Sequence, residues 1–460
     1  MVAILSGILF SSSFEPIGAW FLAPIAYAIF LSTLRKGGNL YKKSFLFAFV
    51  GAFVTLWWAG KYVGIIPLIF LALLHGLFYL PLGLIGRYTK NYLWFIPALL
   101  LIEELRSLFP FGGFSWMRIA FSQADAIYSH VISIGGALFL SGWVLLISLA
   151  IMRRDRYSFL TLIFLVFAPS LLTNSYNENR NISFIGIQGN TPSVGIGFND
   201  RAQAVFNLHL QKTLKASSSK ADVIIWPENA IDVDPFFYEN VANSIESLTK
   251  RLNTPLIAGA ITRKNGTLEN VSLMYNESGE VVSLYSKQFL TPFGEYIPFR
   301  PLARLVSPYV DDVTDFAPGD SSQLHKVKDL KLAPLICYEL LSDSLVRYAA
   351  TRSDAFVAQT NSATFAGTAE SAQQLEITRL RAIEHSREIA SISTIGISAH
   401  IDINGRIINQ TDENVSASLT GRIRSNTHQT LADKIGGSAP LITLAIFAFL
   451  PLARRIVRSS

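Results

Sequence analysis

Pro334-Leu335-Ile336-Cys337-Tyr338-Glu339 carries the only cysteine of this 460-residue chain, at the end of the apolar run Leu332–Cys337, which reads as a buried strand. One cysteine forms no internal disulfide and no cysteine-based zinc site. It is either a small buried hydrophobe or a reactive thiol. A free thiol holds few anions at pH 7, so a reactive one needs a base and a cation beside it.

Two upstream stretches offer those partners. Ile224-Ile225-Trp226-Pro227-Glu228 sets a carboxylate directly after a buried strand, held by a rigid proline. That suits a fixed general base, whose pKa partial desolvation raises toward neutrality. Tyr285-Ser286-Lys287 leads into Pro292-Phe293-Gly294-Glu295 and then Pro298. A lysine in such a pocket lowers the pKa of a nearby thiol and supplies positive charge where an oxyanion develops. Each stretch alone has a plainer reading: a surface glutamate, a solvated hairpin lysine, a packed cysteine. Together, in the order Glu, Lys, Cys, they are specific.

Around these stretches apolar runs alternate with helical patterns. Strands are expected at Ile182–Gln188, Asp222–Trp226, Leu256–Ala260, Leu332–Cys337, Ala355–Gln359, Ile389–Ser393 and Ser398–Ile403, and helices at Arg201–Ala216, Val241–Leu252 and Gln373–Ser386. Val271–Asn276 and Val281–Ser286 read as a hairpin around Glu277–Gly279, and Asn404-Gly405 is a turn signal. Strands with intervening helices make an α/β sheet. The chain shows no repeat and no low-complexity stretch beyond Ser217–Ser219.

The rest of the composition is that of a membrane protein. Half of the residues are hydrophobic and only 16% are charged, against about 25% charged in an average globular domain. Mean hydropathy is +0.36. The charge deficit falls before Thr173 and again after Pro440. A span needs about 20 mostly apolar residues. Seven runs qualify before the α/β part, near Val2–Phe14, Ile17–Leu34, Phe45–Trp58, Val63–Ile85, Leu93–Leu108, Ala126–Met152 and Phe159–Leu172, and an eighth near Ala439–Leu452. With the N-terminus in the cytoplasm, the cytoplasmic loops hold Arg35, Lys36, Lys42 and Lys43, then Arg87 and Lys90, then Arg153, Arg154 and Arg156. The tail adds Arg454, Arg455 and Arg458, while the opposite loops hold only Lys61, Arg106 and Arg118. By the positive-inside rule this puts Asn174 to about Lys434 on the outer face. The expected domains are therefore 1–173, 174–434 and 435–460, with the first span serving as targeting signal. The net charge of +6 has its source in these flanking residues, and no basic run is interleaved with aromatics, which argues against nucleic-acid binding. Glu103 and Arg106, three apart at the end of the fifth run, share a helix face and are placed to pair. They read as readily as an interfacial anchor as a functional pair.

The Glu, Lys, Cys order resembles the nitrilase superfamily, which uses such a triad on an αββα sandwich. Fused to a multispan N-terminus and one C-terminal span, the chain is similar to the bacterial apolipoprotein N-acyltransferases. The resemblance covers nearly the whole chain. It rests on Gln188-Gly189-Asn190, the motif ending at Glu228, the block from Lys287 to Pro298, and Cys337-Tyr338-Glu339. It continues through Gln374 and Arg379 to Thr394-Ile395-Gly396-Ile397-Ser398-Ala399, and in the membrane part through Glu103-Glu104-Leu105-Arg106 and Gly113-Phe114-Ser115-Trp116. It implies an α-helical multispan membrane domain plus an α/β nitrilase-like αββα sandwich, in a bacterial cytoplasmic (inner) membrane. It further implies Glu228 as general base, Lys287 as oxyanion and thiolate partner, Cys337 as nucleophile, Glu295 and Glu339 as supporting carboxylates and Tyr338 as a pocket residue. The implied partners are a phospholipid acyl donor and a diacylglyceryl apolipoprotein acceptor, and no metal or cofactor is required. Two departures stand out. Asn361-Ser362-Ala363-Thr364-Phe365 replaces the family's usual Asn-Asp-Ala-Trp-Phe, and Gln374 stands where members often have His. The triad alone also fits a membrane-tethered amidase in which water resolves the acyl-enzyme; the membrane resemblance weighs against it. A transporter or sensor with a dead nitrilase-like domain is opposed by the presence of all three triad residues.

Overall fold

The computed structural model describes residues 1–35, 38–89, 91–153, 155–194, 202–216, 220–305, 308–311, 313–320 and 323–459, with the backbone alone at 308–309 and 453–459. Lys36, Lys90, Arg154, Arg201 and the run Ser217–Ser219 lie outside the described residues, as do the side chains of Arg454, Arg455 and Arg458. The chain divides into two units, Met1–Thr173 with Thr430–Ser460, and Asn174–Gln429.

The first unit is helical: α1 Val2–Ser11, α2 Leu22–Arg35, α3 Leu40–Thr55, α4 Ile65–Tyr88, α5 Phe95–Leu108, α6 Ile132–Arg153 and α7 Arg156–Phe167, closed by a helix at Ala439–Ser459. On α4, Leu68, Ala72, Tyr79 and Leu82 are buried while Ile65, Phe70, Leu77 and Leu84 are exposed. A helix that is apolar all round suits lipid rather than water. Ile65–Tyr88, Ser129–Arg153 and Leu431–Leu452 are long and apolar enough to cross a membrane. The other runs form shorter helices. The first, read to Phe14, is helical only to Ser11, where the Ser12 and Ser13 hydroxyls turn back to the carbonyls of Ile8 and Phe10. α6 is broken at Gly135 and Gly136, the latter at φ +80. Glu103 and Arg106 make no direct ion pair, although the Arg106 charge acts on Glu103. Glu103 Oε1 instead accepts from the backbone N–H of Ile119 at 2.5 Å, because the chain after α5 folds back and presents an unpaired amide there. Its neighbour Glu104 takes Arg118 at 3.5 Å.

The second unit holds two mixed six-stranded sheets. In chain order it runs β1 Asn181–Gln188, α8 Ala204–Ala216, β2 Val223–Ile225, α9 Glu239–Leu252, β3 Leu256–Lys264, β4 Thr267–Tyr275, β5 Val281–Ser286, α10 Arg300–Ala303, β6 His325–Val327, β7 Leu330–Ile336, α11 Asp343–Ala350, β8 Ala355–Thr360, α12 Glu370–His385, β9 Ile389–Ser393, β10 Ala399–Ile401, β11 Ile407–Gln410 and β12 Ala417–Arg424. The orders are β12-β1-β2-β3-β4-β5 and β11-β10-β9-β8-β7-β6. Phe184, Ile225 and Ile257 of the first sheet share one core with Leu332, Val357 and Ile392 of the second. Gly186 lets the sheets meet, since a Cβ there would stand 2.1 Å from Ile392 Cδ1. α8 and α9 cover the outer face of the first sheet, with Phe206, Val241, Ile245 and Leu248 packed on Ile224 and Trp226. Val241, Ile245 and Leu248 recur at helical spacing, which is why this segment folds as an amphipathic helix. Asn253 ends it in the left-handed region at φ +48. With α11 and α12 beside the second sheet, the layers form the αββα sandwich expected from the sequence.

Several elements differ from that reading at their ends. β2 is only three residues long because Asp222 leaves the strand to accept the Ser183 N–H and hydroxyl. α12 starts three residues before Gln373, at Glu370, and β10 stops at Ile401. β7 ends at Ile336 rather than at Cys337, and β6, α11 and β12 had no counterpart in the sequence reading.

Candidate active site

Glu228 follows β2 through Trp226-Pro227. The Trp226 carbonyl accepts from Gln359 Nε2 at 2.6 Å, and the Thr394 hydroxyl donates to the Glu228 carbonyl at 2.9 Å. β3 can approach this turn only because residue 259 is glycine: a Cβ there would meet Pro227 O at 2.3 Å and Glu228 Cα at 2.6 Å. The carboxylate is thereby fixed, 5% exposed, pointing at the end of β5.

Lys287 stands just past β5, 1% exposed, with its own N–H donated to Asn270 O at 2.9 Å. Its ammonium lies 3.1 Å from Glu228 Oε1 and 2.8 Å from Glu295 Oε2. Asn270 of β4 completes the arrangement, its Nδ2 donating to Glu228 Oε1 and to Glu295 Oε1, both at 2.8 Å. Glu295 also accepts the Thr291 N–H at 2.8 Å. Burial opposes the charge on Lys287, but the two carboxylates more than offset it and hold the ammonium above the usual lysine range. Burial pushes Glu228 up, against the pull of Lys287 and with a further push from Glu295. Burial also opposes ionisation of Glu295, yet Lys287 and the added hydrogen bonds hold it below its ordinary value. One carboxylate is thus committed to its charge, and the other is left able to take a proton.

Cys337 opens the turn after β7 at φ +48. This left-handed conformation costs a residue with a side chain about 1–3 kcal/mol. The turn is held by Glu339, wholly buried, which accepts from Ile336 N–H at 2.8 Å, Tyr285 OH at 2.7 Å and Gln288 N–H at 2.7 Å. Glu339 therefore ties the cysteine turn to the strand end that carries Lys287. Burial raises its carboxyl to about 7, against these hydrogen bonds. Tyr338 stacks on Phe289, with ring centroids 5.1 Å apart at 17°. The thiol accepts from Gln374 Nε2 at 3.5 Å. Burial pushes the thiol well above its ordinary value and the Glu228 charge adds to this, against the opposing pull of Lys287. It rests as a thiol, within electrostatic reach of both. A hollow of about 670 Å³ lined by Gln288, Phe289, Ser342 and Tyr348 opens nearby, but Glu228, Lys287 and Cys337 do not line it.

The structure gathers Glu228, Lys287 and Glu295 into one contact cluster, sets Cys337 in their field and gives Glu339 a positioning task. Two residues around the site escaped the sequence reading. Asn270 carried no clear signal, since it stands beside Glu269 just before the segment Val271–Asn276 read as a strand. Glu370 carried none, since it lies just before the segment read as helix. Gln374, noted in the sequence without a role, is the sole hydrogen-bond partner of the thiol among the described residues.

A family model described as the apolipoprotein N-acyltransferase N-terminal domain matches residues 6–150, and one described as carbon-nitrogen hydrolase matches residues 187–433. An apolipoprotein N-acyltransferase of Mycolicibacterium smegmatis is 30% identical over 485 residues, covering 94% of this chain and 81% of its own. One from Shewanella oneidensis is 26% identical over 502 residues, covering 99% and 95%. Among solved structures, an amidase from Nesterenkonia sp. is 16% identical and covers 56% of this chain and 94% of its own, with a TM-score of 0.42.

Proposed function

This chain belongs to the apolipoprotein N-acyltransferase family, and from that premise we propose that it N-acylates lipoproteins through a thioester on Cys337. The observation that carries the reading is the buried Lys287 ammonium held between Glu228 and Glu295 with the thiol in its field. Glu228 takes the proton from Cys337 as the sulfur attacks the ester carbonyl of a phospholipid at its first glycerol position. Lys287 faces the oxyanion; preorganised charge of this kind is commonly the largest single contribution to such a step. The C–O bond breaks, the lysophospholipid alkoxide takes the proton back from Glu228, and the acyl group stays on sulfur. The α-amine of a diacylglyceryl cysteine then attacks the thioester. A C–N bond forms, the C–S bond breaks, and the amine proton returns through Glu228 to sulfur.

A thiol with a raised pKa favours this order. The proton leaves as the C–S bond forms, so a resting thiolate is not needed. Both substrates are lipid-anchored, at about 0.8 kcal/mol per buried methylene, which gives a membrane-embedded enzyme its reason. The charge pattern of the loops supports a bacterial cytoplasmic (inner) membrane with the region from Asn174 to about Lys434 on the outer face. A reporter fused after Thr427 should be active only if it works outside the cytoplasm.

The deciding experiment supplies purified protein with acyl-labelled phospholipid and a diacylglyceryl-cysteine peptide bearing a free α-amine. The label should move to the peptide as an amide. Steady release of labelled fatty acid without the peptide would instead establish the water-using amidase.

A further inference from the structure

Resting on the transferase reading above, we propose that Glu370 forms the subsite that receives the protonated α-amine of the acceptor beside Cys337. Glu370 opens α12 and is 4% exposed. Gln374, one helical turn on, donates to Cys337 Sγ at 3.5 Å. Residues four apart lie on one helix face, so the Glu370 carboxyl stands over the same pocket one turn toward the helix start. Its charge acts on the Cys337 thiol, and Glu228 acts on it in turn.

Glu370 Oε2 is buried and makes no short hydrogen bond among the described residues; the Ser362 hydroxyl is the neighbouring donor that acts on the carboxyl. A buried polar atom left in this way costs about 1–3 kcal/mol, which a ligand carrying donors removes. The surrounding charge says which ligand. Ser362, Glu413 and Glu228 act on Glu370, and among the described residues no cation does. The one ammonium nearby, Lys287, is already held by Glu228 and Glu295. When Glu370 ionises, no cation among the described residues is there to answer it. Ser371, Ser393 and Ser362 bring their hydroxyls to within 3 Å of the place a Cβ would take on Gly396, so the pocket wall near α12 is polar and tightly built.

The proton inventory fits an amine. Burial raises the Glu370 carboxyl to about 8, close to the ordinary α-amine value of roughly 7.7–8.0. An arriving ammonium displaces the carboxyl proton to solvent and docks on the carboxylate. One N–H proton then passes to Glu370, freeing the nitrogen lone pair. That pair forms the C–N bond to the thioester carbonyl, the C–S bonding pair returns to sulfur, and the second N–H proton passes by way of Glu228 to Cys337.

The test separates the half-reactions. Glu370→Gln keeps the size of the side chain and removes its charge. Incubated with acyl-labelled phospholipid, it should carry label on Cys337. Its KM for the diacylglyceryl-cysteine peptide should rise about tenfold to a hundredfold, the range of one charge-assisted hydrogen bond. Hydroxylamine, uncharged at pH 7, should strip the label from variant and wild type at equal rates, and Glu370→Asp should recover part of the peptide affinity. An unchanged KM for the peptide, an equal loss toward hydroxylamine, or failure of Glu370→Gln to charge Cys337 would each overturn the assignment. Absence of label on wild-type Cys337 would instead defeat the transferase reading itself.

Discussion

Two buried cations, each facing two carboxylates, lie in the same unit and do different things. Arg381 on α12 reaches Glu384 at 2.5 Å and Asp343 at 2.6 Å, and its Nε donates to the Leu340 carbonyl at 2.8 Å. Its planar fork ties α12 to the start of α11 and to the cysteine turn. Lys287 reaches Glu228 and Glu295 at 3.1 and 2.8 Å, and its field falls on a thiol. The guanidinium is a fixture. The ammonium is a compact charge next to a carboxylate that can accept a proton. A buried ion triad is thus no sign of catalysis by itself; what faces its open side decides.

Substitutions at the two cations should separate those roles. Lys287→Met removes the charge and keeps most of the stem, and should lower turnover by at least a hundred- to a thousandfold, the usual loss for one oxyanion donor. The two carboxylates it abandons can share a proton at neutral pH, so the protein should stay folded by circular dichroism and membrane-inserted. Cys337→Ala and Glu228→Gln should abolish transfer in the same folded background. Near-normal turnover in Lys287→Met would show that the cation is misassigned. Arg381→Met should do the reverse. Breaking a buried pair costs about 3–5 kcal/mol, read as a lower denaturation midpoint, while protein that remains folded still charges Cys337. If Arg381→Met kept its stability and lost only activity, the contrast would collapse.

Glu339 provides a finer test, because it is a buried carboxyl that touches neither cation directly. Its folded pKa of about 7 lies above the unfolded value near 4.3. Its stabilising contribution is therefore complete below the unfolded value and is lost as pH rises through about 7. Wild-type melting temperature should contain a component that falls between about pH 4 and pH 7. Glu339→Gln should lack that component and lose some stability at low pH, because an amide cannot accept from Ile336, Tyr285 and Gln288 together. A pH-independent difference between the two proteins would remove Glu339 from the account. The smallest effect is expected at Thr364, half-buried in a short turn after β8. Thr364→Trp should be tolerated or improve donor binding, measured as KM for phospholipid. Loss of folding there would mean that the backbone of this loop does not leave room for the larger ring.

The same contrast explains what the sequence made legible. Strand-and-helix alternation exposed the sandwich because β1, β3, β8 and β9 each carry a mostly apolar, mostly buried stretch. β6 and β12 escaped because a three-residue edge strand and the strand Ala417–Arg424, which buries only Leu419 and Ile423, carry too little apolar signal. Glu228, Lys287 and Cys337 announced themselves by standing at strand ends. Asn270, Glu370 and Arg381 did not, because each acts through a partner distant in sequence. The left-handed turn at Cys337 was hidden too: no local pattern requires it, and it is set by hydrogen bonds that Glu339 makes to β5 and β7. In the helical unit, spacing suggested a Glu103–Arg106 pair, but an unpaired backbone amide at Ile119 competed for the carboxylate.

Purified protein is incubated with phospholipid alone, with no amine present, and the peptide carrying Cys337 is weighed by mass spectrometry. A ping-pong transfer requires the enzyme to be charged in this half-reaction. One added acyl group is expected on Cys337, released by neutral hydroxylamine and absent in Cys337→Ala and Glu228→Gln. An unmodified Cys337 in active protein, or an acyl group on any other residue, would contradict it.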